Sequence, residues 1–327
     1  MTPSGARLGL VVNPGSGAGR GAAVGRRAAE RLRALGHEVR DLSAGDAAGA
    51  RREAVRAVRE RGAAGAVDAL VVVGGDGMVH LGAGAVAGTG VPLGVVPAGT
   101  GNDVAAAWGL PADPVAAVDA LDRCVREGLT RSVDAVRVTA PGDAAADAAW
   151  VAGVTAAGFD AVVNERANGW RWPRGAARYN LAIARELPLF RPVPYRLVLD
   201  GEEWRTEGLL VAVANTSSYG GGMRIAPAAA CDDGLLDVVV VTPVPLHRFV
   251  RLFPQVYAGT HVELDVVEVR RARRVEVAVD PAGRRPRRIV AYGDGERLGD
   301  LPRCFDAVPG AVRVLVPPAV VAAGSGT

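Results

Sequence analysis

The sequence ALVVVGGDGMV, at Ala69–Val79, carries the clearest signal for the fold. Leu70–Val73 form a short apolar run rich in β-branched residues, as expected for a buried strand of a parallel sheet. The run ends at Gly74 and Gly75, and two glycines at the carboxyl end of a strand let the backbone turn sharply and approach a ligand closely. The stretch therefore predicts a buried strand, a glycine turn and a helix after the turn.

Asp76 is the acidic side chain of this turn. A carboxylate repels phosphate, but it binds Mg²⁺, which in turn binds phosphate. The alternative is a purely structural turn in which the aspartate caps the following helix. The pairing of glycines with one acid favours a nucleotide-dependent enzyme, and the structural alternative stays open at this point.

Strands and helices alternate on both sides of this stretch. Apolar runs predict buried strands, and amphipathic segments between them predict helices. This alternation is typical of βαβ units in a doubly wound parallel sheet. The predicted strands are Leu8–Val12, Glu38–Leu42, Leu70–Val73 and Leu93–Val96, and the predicted helices are Ala22–Leu35, Ala47–Arg61, Met78–Val86, Val104–Trp108 and Pro114–Glu127.

The pattern changes near Arg131, after which strands dominate. Turn-rich connections between these strands predict a mainly antiparallel β-sandwich as a second domain. Helices are expected at Arg174–Leu187 and Leu246–Ala258, and an exposed hairpin loop is expected at Asp143–Ala148. We place the first domain at 1–130 and the second at 131–299. The predicted strands are Ser132–Val138, Ala149–Ala157, Tyr195–Leu199, Glu207–Ala214, Leu236–Val241, Arg274–Val279 and Arg288–Tyr292.

All 38 basic residues of the 327-residue chain are arginine. Without lysine there is no P-loop lysine, no protein-kinase strand lysine and no Schiff base, so phosphate must be bound by backbone N–H groups, arginine and metal. The net charge of +3 neither favours nor excludes an anionic partner. Arginine clusters within 270–274 and 284–288 fit solvated strand edges or contacts with anionic lipid. The scarcity of aromatic residues beside them argues against nucleic acid as a partner.

Cysteine usage and hydropathy indicate a cytoplasmic protein. Cys124, Cys231 and Cys304 lie far apart without metal-ligand spacing, which is typical of a reducing compartment. The N-terminus lacks the pattern of a signal peptide, and the longest apolar run, Leu235–Val241, is too short to span a bilayer. We therefore expect any contact with a membrane to be peripheral.

Three glycine turns occur in the first third of the chain, at Gly15–Gly21, Gly74–Gly77 and Gly99–Asp103. In an open parallel sheet such turns meet at the carboxyl edge, where helix N-termini present N–H groups to phosphate. The three turns together predict a nucleotide site.

Four polar side chains of these turns have candidate roles at the site. Asp76 and Asp103, both at the sheet edge, are expected to share one Mg²⁺. Thr100 and Asn102 can hydrogen-bond phosphate or ribose, although Asn102 is also suited to cap a helix.

A dinucleotide-binding site is less well supported. The first turn, NPGSGAGRG at Asn13–Gly21, misses the G-x-G-x-x-G spacing. The segment GAGAVA at Gly82–Ala87 does match, but it follows the strand only after another turn, where its glycines fit helix packing better. The sequence therefore favours phosphoryl transfer over hydride transfer to NAD as the reaction.

The motifs as a set resemble those of the bacterial diacylglycerol kinase-like lipid kinases, which are relatives of sphingosine kinases and, more remotely, of NAD kinases. The resemblance covers nearly the whole chain, and the order of the motifs makes it specific although each motif alone is modest. The motifs are GGDG at Gly74–Gly77, PAGTGND at Pro97–Asp103, GFDA at Gly158–Ala161, DDGLLD at Asp232–Asp237 and GDGE at Gly293–Glu296.

The resemblance implies a fold and an ATP site. The fold is an ATP-binding α/β domain, a β-sandwich domain for the lipid substrate and a C-terminal segment, about 300–327, that returns to the first domain. The implied ATP contacts are Asn13, Ser43, Gly74, Gly75, Asp76, Gly77, Met78, Val79, His80 and Thr100.

Two magnesium sites are implied as well. The catalytic Mg²⁺ is expected around Asp76, Asp103 and Glu296, and Glu296 matches the proton acceptor of the family. A structural Mg²⁺ is expected at the DDGLLD turn, held by Asp233 and the carbonyls of Ala230 and Leu235.

The chain departs from the family pattern directly after GGDG, where Met78 and His80 stand in place of the usual Thr and Asn. Met78 lacks a hydroxyl for phosphate. His80 keeps a donor for ribose or a neighbouring turn, or else packs the helix. Arg20 and Arg178 are candidate replacements for the lysines of relatives. Because all three carboxylates remain, we expect activity.

We interpret the chain as an ATP- and Mg²⁺-dependent lipid kinase that converts diacylglycerol to phosphatidic acid in phospholipid synthesis or recycling. The substrate is expected at a membrane surface. Candidate apolar contacts are Trp170, Trp172, Leu187, Leu189 and Phe190, of which the leucines and Phe190 also suit core packing.

Other functions stay open. The acceptor could be a sphingoid lipid or NAD, and a regulator that binds ATP without turnover is a further alternative. A dehydrogenase is the weakest candidate. Edge pairing of the β domain would make the protein a homodimer.

Overall fold

The computed structural model describes residues 5–60, 65–144, 148–170, 176–281 and 288–317. The chain divides into two compact units, one made of Met1–Ala135 and Pro309–Thr327 and the other of Val136–Val308. The C-terminal segment therefore returns to the first unit, as the resemblance implied.

The helices and strands follow one another closely in the described ranges, apart from the long connection 215–235. In the first part of the chain they are β1 (Arg7–Val12), α1 (Ser16–Gly19), α2 (Gly21–Ala34), β2 (Glu38–Asp41), α3 (Ala47–Arg59), β3 (Ala69–Gly74), α4 (Asp76–Val86), β4 (Leu93–Pro97), α5 (Asp103–Ala107) and α6 (Pro114–Glu127). They continue with β5 (Arg131–Thr139), β6 (Ala149–Val151), β7 (Val154–Gly158), α7 (Phe159–Asn168), α8 (Ala176–Glu186), β8 (Val193–Leu199), β9 (Glu202–Gly208), β10 (Leu210–Ala214) and β11 (Leu236–Val241). The last are α9 (Leu246–Ala258), a 3₁₀ turn (His261–Glu263), β12 (Val267–Ala272), β13 (Arg274–Val279), β14 (Val290–Gly293), β15 (Glu296–Asp300) and β16 (Arg303–Val314).

The first unit is built on a parallel sheet with the strand order β2-β1-β3-β4. The end of β16 adds to this sheet beside β4, where Val314 lies opposite Leu93 in parallel register. All six residues of β3 are buried, because a central strand of a parallel sheet is covered on both faces. The doubly wound parallel sheet predicted from the sequence is confirmed.

Helix ends in this unit follow from local chemistry. The carboxylate of Asp113 accepts a hydrogen bond from the N–H of Ala116 and caps α6. Pro114 occupies the first turn of α6, and Gly128 ends the helix in the left-handed conformation. On one face of the sheet α2 and α6 share a core with the strands, through residues such as Leu32 and Leu121.

The second unit is a β-sandwich. One sheet is antiparallel with the order β12-β11-β10-β7-β14-β15. In the other, β16, β13, β8 and β9 pair antiparallel in that order, and β5 pairs with β6. Side chains from both sheets, such as Val239 and Leu197, belong to one buried cluster. The predicted sandwich is confirmed.

Several boundaries differ from the sequence-based expectation. The expected strand Ala149–Ala157 is two strands, β6 and β7, because the chain turns at Ala152 and Gly153. The expected strand Glu207–Ala214 is likewise split between β9 and β10. Helix α7 was not predicted, since its sequence FDAVVNERAN has little helical apolar periodicity. By contrast, α9 has the predicted bounds.

Some predicted features fall on parts of the chain outside the described residues. These are Arg61 at the end of a predicted helix, Trp172 and Arg174, the middle of the 143–148 loop, and the arginines of the second cluster except Arg288. The side chain of Arg178 is also outside the described set. None of the helices in the described ranges has the length and apolar character needed to cross a bilayer.

Candidate active site

The three glycine turns lie against one another at the carboxyl ends of β1, β3 and β4. A Cβ placed on Gly99 would lie 2.5 Å from the Cα of Gly75, so the second and third turns touch backbone to backbone. A Cβ on Gly17, whose φ is +55°, would lie 2.5 Å from the carbonyl oxygen of Ala98, so the first turn touches the third. Only glycine allows these approaches. Within the first unit the turns therefore meet at one edge of the sheet.

Asp76 connects two of these turns through its carboxylate. It is the first residue of α4, and the cap position of that helix is Gly75. Its Oδ1 accepts a hydrogen bond of 3.0 Å from the backbone N–H of Val104 in α5. The cap position considered for Asp76 is therefore occupied by Gly75, and Asp76 lies one residue after it. Asp103, the neighbour of Val104, is 5 % exposed, so two of the predicted metal ligands, Asp76 and Asp103, lie around the start of α5.

Asn102 closes the third turn on itself. It has a left-handed backbone, with φ of 60°, at the cap position of α5 but makes no capping hydrogen bond to that helix. Its Oδ1 accepts from the N–H of Gly99 at 2.9 Å, and its Nδ2 donates to the carbonyl of Gly99 at 3.3 Å. These bonds hold Gly99 against Gly75, while Thr100 at the tip of the turn is exposed.

Asn13 and Ser43 lie at the end of β1, beside the glycine turn after β3. The N–H of Asn13 donates to the carbonyl of Val73, and a Cβ on Gly74 would lie 3.7 Å from the Cβ of Asn13. The Oγ of Ser43 accepts a hydrogen bond of 2.9 Å from the N–H of Val12. The structure thus brings two predicted ATP contacts, distant in sequence, to the same sheet edge as Gly74.

The residues directly after the turn face different surroundings. Met78 is 8 % exposed, and its Cγ would lie 2.4 Å from a Cβ on Gly74, so its side chain packs over the turn. Val79 is buried, whereas Gly77 and His80 are half-buried. Met78 therefore fills a core position.

The sequence predicted that the two glycines of GAGAVA serve helix packing, and the structure agrees at Gly82 but not at Gly84. A Cβ on Gly82 would lie 2.7 Å from Cδ1 of Leu93, so α4 packs directly on the sheet there. Gly84 faces open space.

Glu296 is the first residue of β15 and is exposed. It follows a two-residue hairpin turn in which Asp294 and Gly295 have φ of 52° and 85°, the conformation that Asp-Gly favours between antiparallel strands. The carboxylate of Asp294 accepts hydrogen bonds of 2.9 Å from the N–H groups of Ala152 and Gly153. These two bonds pin the turn that precedes Glu296.

No group of three or more His, Cys, Asp and Glu side chains in the described ranges is placed to hold a metal ion. Asp76 and Asp103 belong to the first unit and Glu296 to the second. The shared catalytic site for Mg²⁺ stays a prediction.

The DDGLLD turn in the second unit is contacted by an arginine of another strand, Arg271 of β12. Asp233 Oδ1 accepts from the N–H of Leu235 at 3.0 Å, and Asp233 Oδ2 pairs with the guanidinium of Arg271. The Nε of Arg271 also lies 3.4 Å from Oδ2 of Asp237, whose pKa is raised by burial although Arg271 opposes this. Both oxygens of the Asp233 carboxylate therefore have protein partners in this structure. Ala230 and Leu235 are half-buried beside the turn, and the site stays a prediction.

A half-buried acid–phenol pair was not predicted from the sequence. Asp160 of the GFDA motif lies at the start of α7, where its Oδ2 accepts from the hydroxyl of Tyr219 at 3.2 Å and its Oδ1 from the N–H of Ala161 at 2.9 Å. Burial raises the pKa of Asp160 to about 7, and the two hydrogen bonds oppose this shift. The signal in the sequence was an acid placed just after a buried strand and its glycine.

Two family models match the chain. The diacylglycerol kinase catalytic domain matches residues 7–138, and the YegS C-terminal NAD kinase beta sandwich-like domain matches residues 153–316. Among curated proteins, the chain is 41% identical over 309 residues to a diacylglycerol kinase of Mycobacterium tuberculosis, covering 94% of each chain. It is 28% identical over 276 residues to a diacylglycerol kinase of Bacillus subtilis, covering 84% of this chain and 83% of the relative.

Solved structures have the same fold. The chain is similar to a putative diacylglycerol kinase from Bacillus anthracis, with a TM-score of 0.74, 20% identity and 98% of both chains covered. It is also similar to yeast NADH kinase, with a TM-score of 0.53 and 12% identity, covering 96% of this chain and 84% of that one. The fold and the matched domains define a kinase with an α/β catalytic domain and an NAD kinase-like β-sandwich. The chain belongs to the diacylglycerol kinase family.

Proposed function

We propose that this kinase transfers the γ-phosphoryl group of ATP, with Mg²⁺, to the hydroxyl of diacylglycerol and so forms phosphatidic acid. The observation that carries the proposal is the contact of the three glycine turns, at Gly75 with Gly99 and at Gly17 with Ala98. The relative from Mycobacterium tuberculosis, 41% identical and named as a diacylglycerol kinase, supports the choice of acceptor.

The glycine turns suit the phosphates of ATP. The first N–H groups of a helix have no partner within that helix, and α4 begins at Asp76 directly after the turn. The partial positive charge at the helix N-terminus favours phosphate, and the missing Cβ atoms at Gly75 and Gly99 leave the backbone accessible. Because the chain has no lysine, these backbone N–H groups are important as donors of hydrogen bonds to the phosphates.

Asp76 and Asp103 would hold the magnesium ion. Their carboxylate oxygens are the donors that Mg²⁺ prefers, and the donor set therefore fits this ion. When bound, Mg²⁺ neutralises charge on the transferring phosphoryl group. The hydrogen bond from Val104 fixes the orientation of the Asp76 carboxylate.

Glu296 would take the proton of the acceptor. The hydroxyl oxygen forms a bond to the γ-phosphorus, the bond between that phosphorus and the β–γ bridging oxygen breaks, and ADP leaves. The hydroxyl proton passes to the carboxylate of Glu296. The hairpin turn pinned by Asp294 supports this role, because a proton acceptor needs a fixed position.

A labelling assay tests the proposal. The purified chain is incubated with labelled ATP, Mg²⁺ and mixed micelles of diacylglycerol, sphingosine or ceramide, or with NAD in solution. We expect label in phosphatidic acid, and a fall of about 10²–10⁴-fold in Glu296→Gln. Glu202→Gln, which removes an exposed carboxylate at the start of β9, is the matched control and should keep full activity.

Each contrary outcome has a meaning of its own. Label in sphingosine, ceramide or NAD instead of diacylglycerol would replace the acceptor in our proposal. ATP binding without label in any acceptor would favour the regulator that binds without turnover. We also propose that the kinase meets its substrate as a cytoplasmic protein at the membrane surface.

A further inference from the structure

Helix α9 of the second unit carries apolar side chains on its outer face. Val250 is 52% exposed and Tyr257 is 50% exposed, and Pro254 between them is exposed as well. These positions are four and three residues apart, so they lie along one side of the helix. Surface helices normally present polar residues to water, and an exposed apolar stripe marks an interaction site.

The inner side of α9 is fixed to the unit by aromatic contacts. Phe249 packs edge-to-face on Phe159 of α7, with ring centroids 5.3 Å apart, and on Phe253 of its own helix at 5.7 Å. The carbonyl of Val256 accepts a hydrogen bond from the N–H of Arg224, and Gly259 ends the helix in the left-handed conformation. The exposed stripe is therefore presented by an anchored helix.

A further exposed apolar side chain lies in the same part of the unit. Leu189 is 69% exposed and precedes Phe190, which is buried and packs edge-to-face on Phe159 at 5.5 Å. Phe159 thus contacts two rings, one next to Leu189 in the sequence and one next to Val250. Of the interfacial contacts predicted from the sequence, Leu189 is exposed, Leu187 and Trp170 are half-buried, and Phe190 is core.

The charges beside the stripe are positive. Helix α9 contains Arg248 and Arg251 but no Asp or Glu. Arg248 pairs with Asp265 at 2.6 Å, whereas Arg251 is exposed and forms no ion pair with any residue in the described ranges. Arg185 on α8 is also exposed and forms no ion pair with any described residue. Its neighbour Glu186 is buried and pairs with Arg166.

We propose that Val250, Pro254 and Tyr257, with Leu189 beside them, form a docking surface for an anionic lipid bilayer. The inference rests on the proposed function, because that function places the substrate in a membrane. Apolar side chains of this kind enter the boundary between head groups and acyl chains, and the Tyr257 hydroxyl stays at the level of the head groups. The positive charges of Arg251 and Arg185, which form no ion pair within the described part of the chain, then complement lipid phosphates.

Vesicle binding of the intact chain tests this surface. The vesicles are phosphatidylcholine alone or phosphatidylcholine with phosphatidylglycerol. The double variant Val250→Asp with Tyr257→Asp should bind mixed vesicles at least about tenfold more weakly. Arg251→Gln should weaken binding about fivefold, on anionic vesicles only and with loss of the effect at high salt.

Val115→Asp is the matched control. Val115 is 63% exposed on α6 of the first unit, so the same change there should leave vesicle binding unchanged. Thermal unfolding shows whether the double variant is folded, and Val250→Ser with Tyr257→Ser is the milder pair if it is not. Unchanged vesicle binding by the folded double variant would overturn the proposal. A change from dimer to monomer with vesicle binding intact would overturn it too, and assign the stripe to contact between copies of the chain.

Phosphorylation of a water-soluble short-chain diacylglycerol separates this proposal from the proposed function. We expect the double variant to phosphorylate the soluble acceptor as the unchanged chain does, and to lose activity on vesicles. If the chain binds vesicles through this surface but labels no acceptor, the docking surface stands and the proposed function fails. If the double variant works equally well on vesicles, the surface is wrong and the function stands.

Discussion

The tripeptide Gly-Asp-Gly occurs at Gly75–Gly77 and again at Gly293–Gly295, and the two copies fold differently. The first copy follows a buried parallel strand and begins helix α4, whereas the second forms a two-residue hairpin turn between β14 and β15. Asp294 has a φ of 52°, in the left-handed region, while Asp76 is part of a helix. The residues that follow differ in kind, with an apolar helical sequence after Asp76 and a short edge strand after Asp294.

Both aspartates bind backbone N–H groups of a distant segment. Asp76 accepts from Val104, and Asp294 accepts from Ala152 and Gly153. Only Asp76 lies where three glycine turns meet. An acid in a glycine turn is therefore not enough to identify a phosphate site, and the neighbouring turns supply the distinction.

The largest effect is expected from Asp76→Asn. The amide oxygen can still accept from Val104, so thermal stability should change little, but a metal-binding charge is lost. We expect phosphatidic acid formation to fall about 10²–10³-fold, in line with the loss of one electrostatic group in an active site. Assays of lipid labelling and thermal unfolding on the same preparation measure both quantities. Activity within twofold of the unchanged chain would remove the distinction between the two aspartates.

Gly99→Ala should disrupt the contact between the turns. The new methyl group would meet the backbone of Gly75 at 2.5 Å, and neither segment is a flexible side chain. We expect a loss of about 2–3 kcal/mol in the free energy of unfolding, measured by denaturant titration. The control is Gly84→Ala on α4, where no atom lies within 4 Å and a gain of about 0.5–1 kcal/mol is expected. Equal effects at the two positions would contradict the contact.

Asp160 differs from both aspartates, because its burial disfavours the charged form of the carboxyl group. Its pKa is raised from the ordinary 3.8 to about 7, so the folded chain keeps a proton that the unfolded chain releases. The free energy of unfolding should therefore fall as pH rises from about 4 to 7, by at most about 1.4 kcal/mol per pH unit, and level off above this window. Unfolding titrations of Asp160→Asn should lack this slope. The exposed Asp143→Asn should retain it, and an identical slope in both variants would exclude Asp160 as the source.

The smallest effect is expected from Asp294→Asn. Asparagine tolerates the left-handed backbone, but its single amide oxygen replaces two carboxylate oxygens, so one of the two N–H bonds and the charge are lost. We expect the free energy of unfolding to fall by about 1 kcal/mol. Soluble-acceptor activity at low temperature should fall less than in Asp76→Asn, because one of the two bonds that position the turn before Glu296 remains. Glu202→Gln serves as the control for removal of a negative charge from the same unit. A stability change no larger than that of the control would mean that the two bonds to Ala152 and Gly153 do not hold the hairpin.

Much of the architecture could be predicted because local sequence patterns indicate it. The run Leu70–Val73 identified a central strand, and the bounds of α9 followed from its apolar spacing. Helix α7 was missed because its apolar periodicity is weak, and β12 was missed because an arginine-rich edge strand lacks the usual apolar run. Edge strands expose part of their residues, so composition alone does not reveal them.

Sequence patterns were sufficient to predict the α/β class of the first unit and the sandwich of the second, because hydrophobic periodicity and turn residues are local signals. The family was indicated by the resemblance of its motifs as a set. Only the folded chain shows which groups the acids bind: Val104 for Asp76, Arg271 for Asp233 and Tyr219 for Asp160. Those partners lie 28 to 59 residues away, and only packing of distant segments determines such pairs, because no local pattern encodes them.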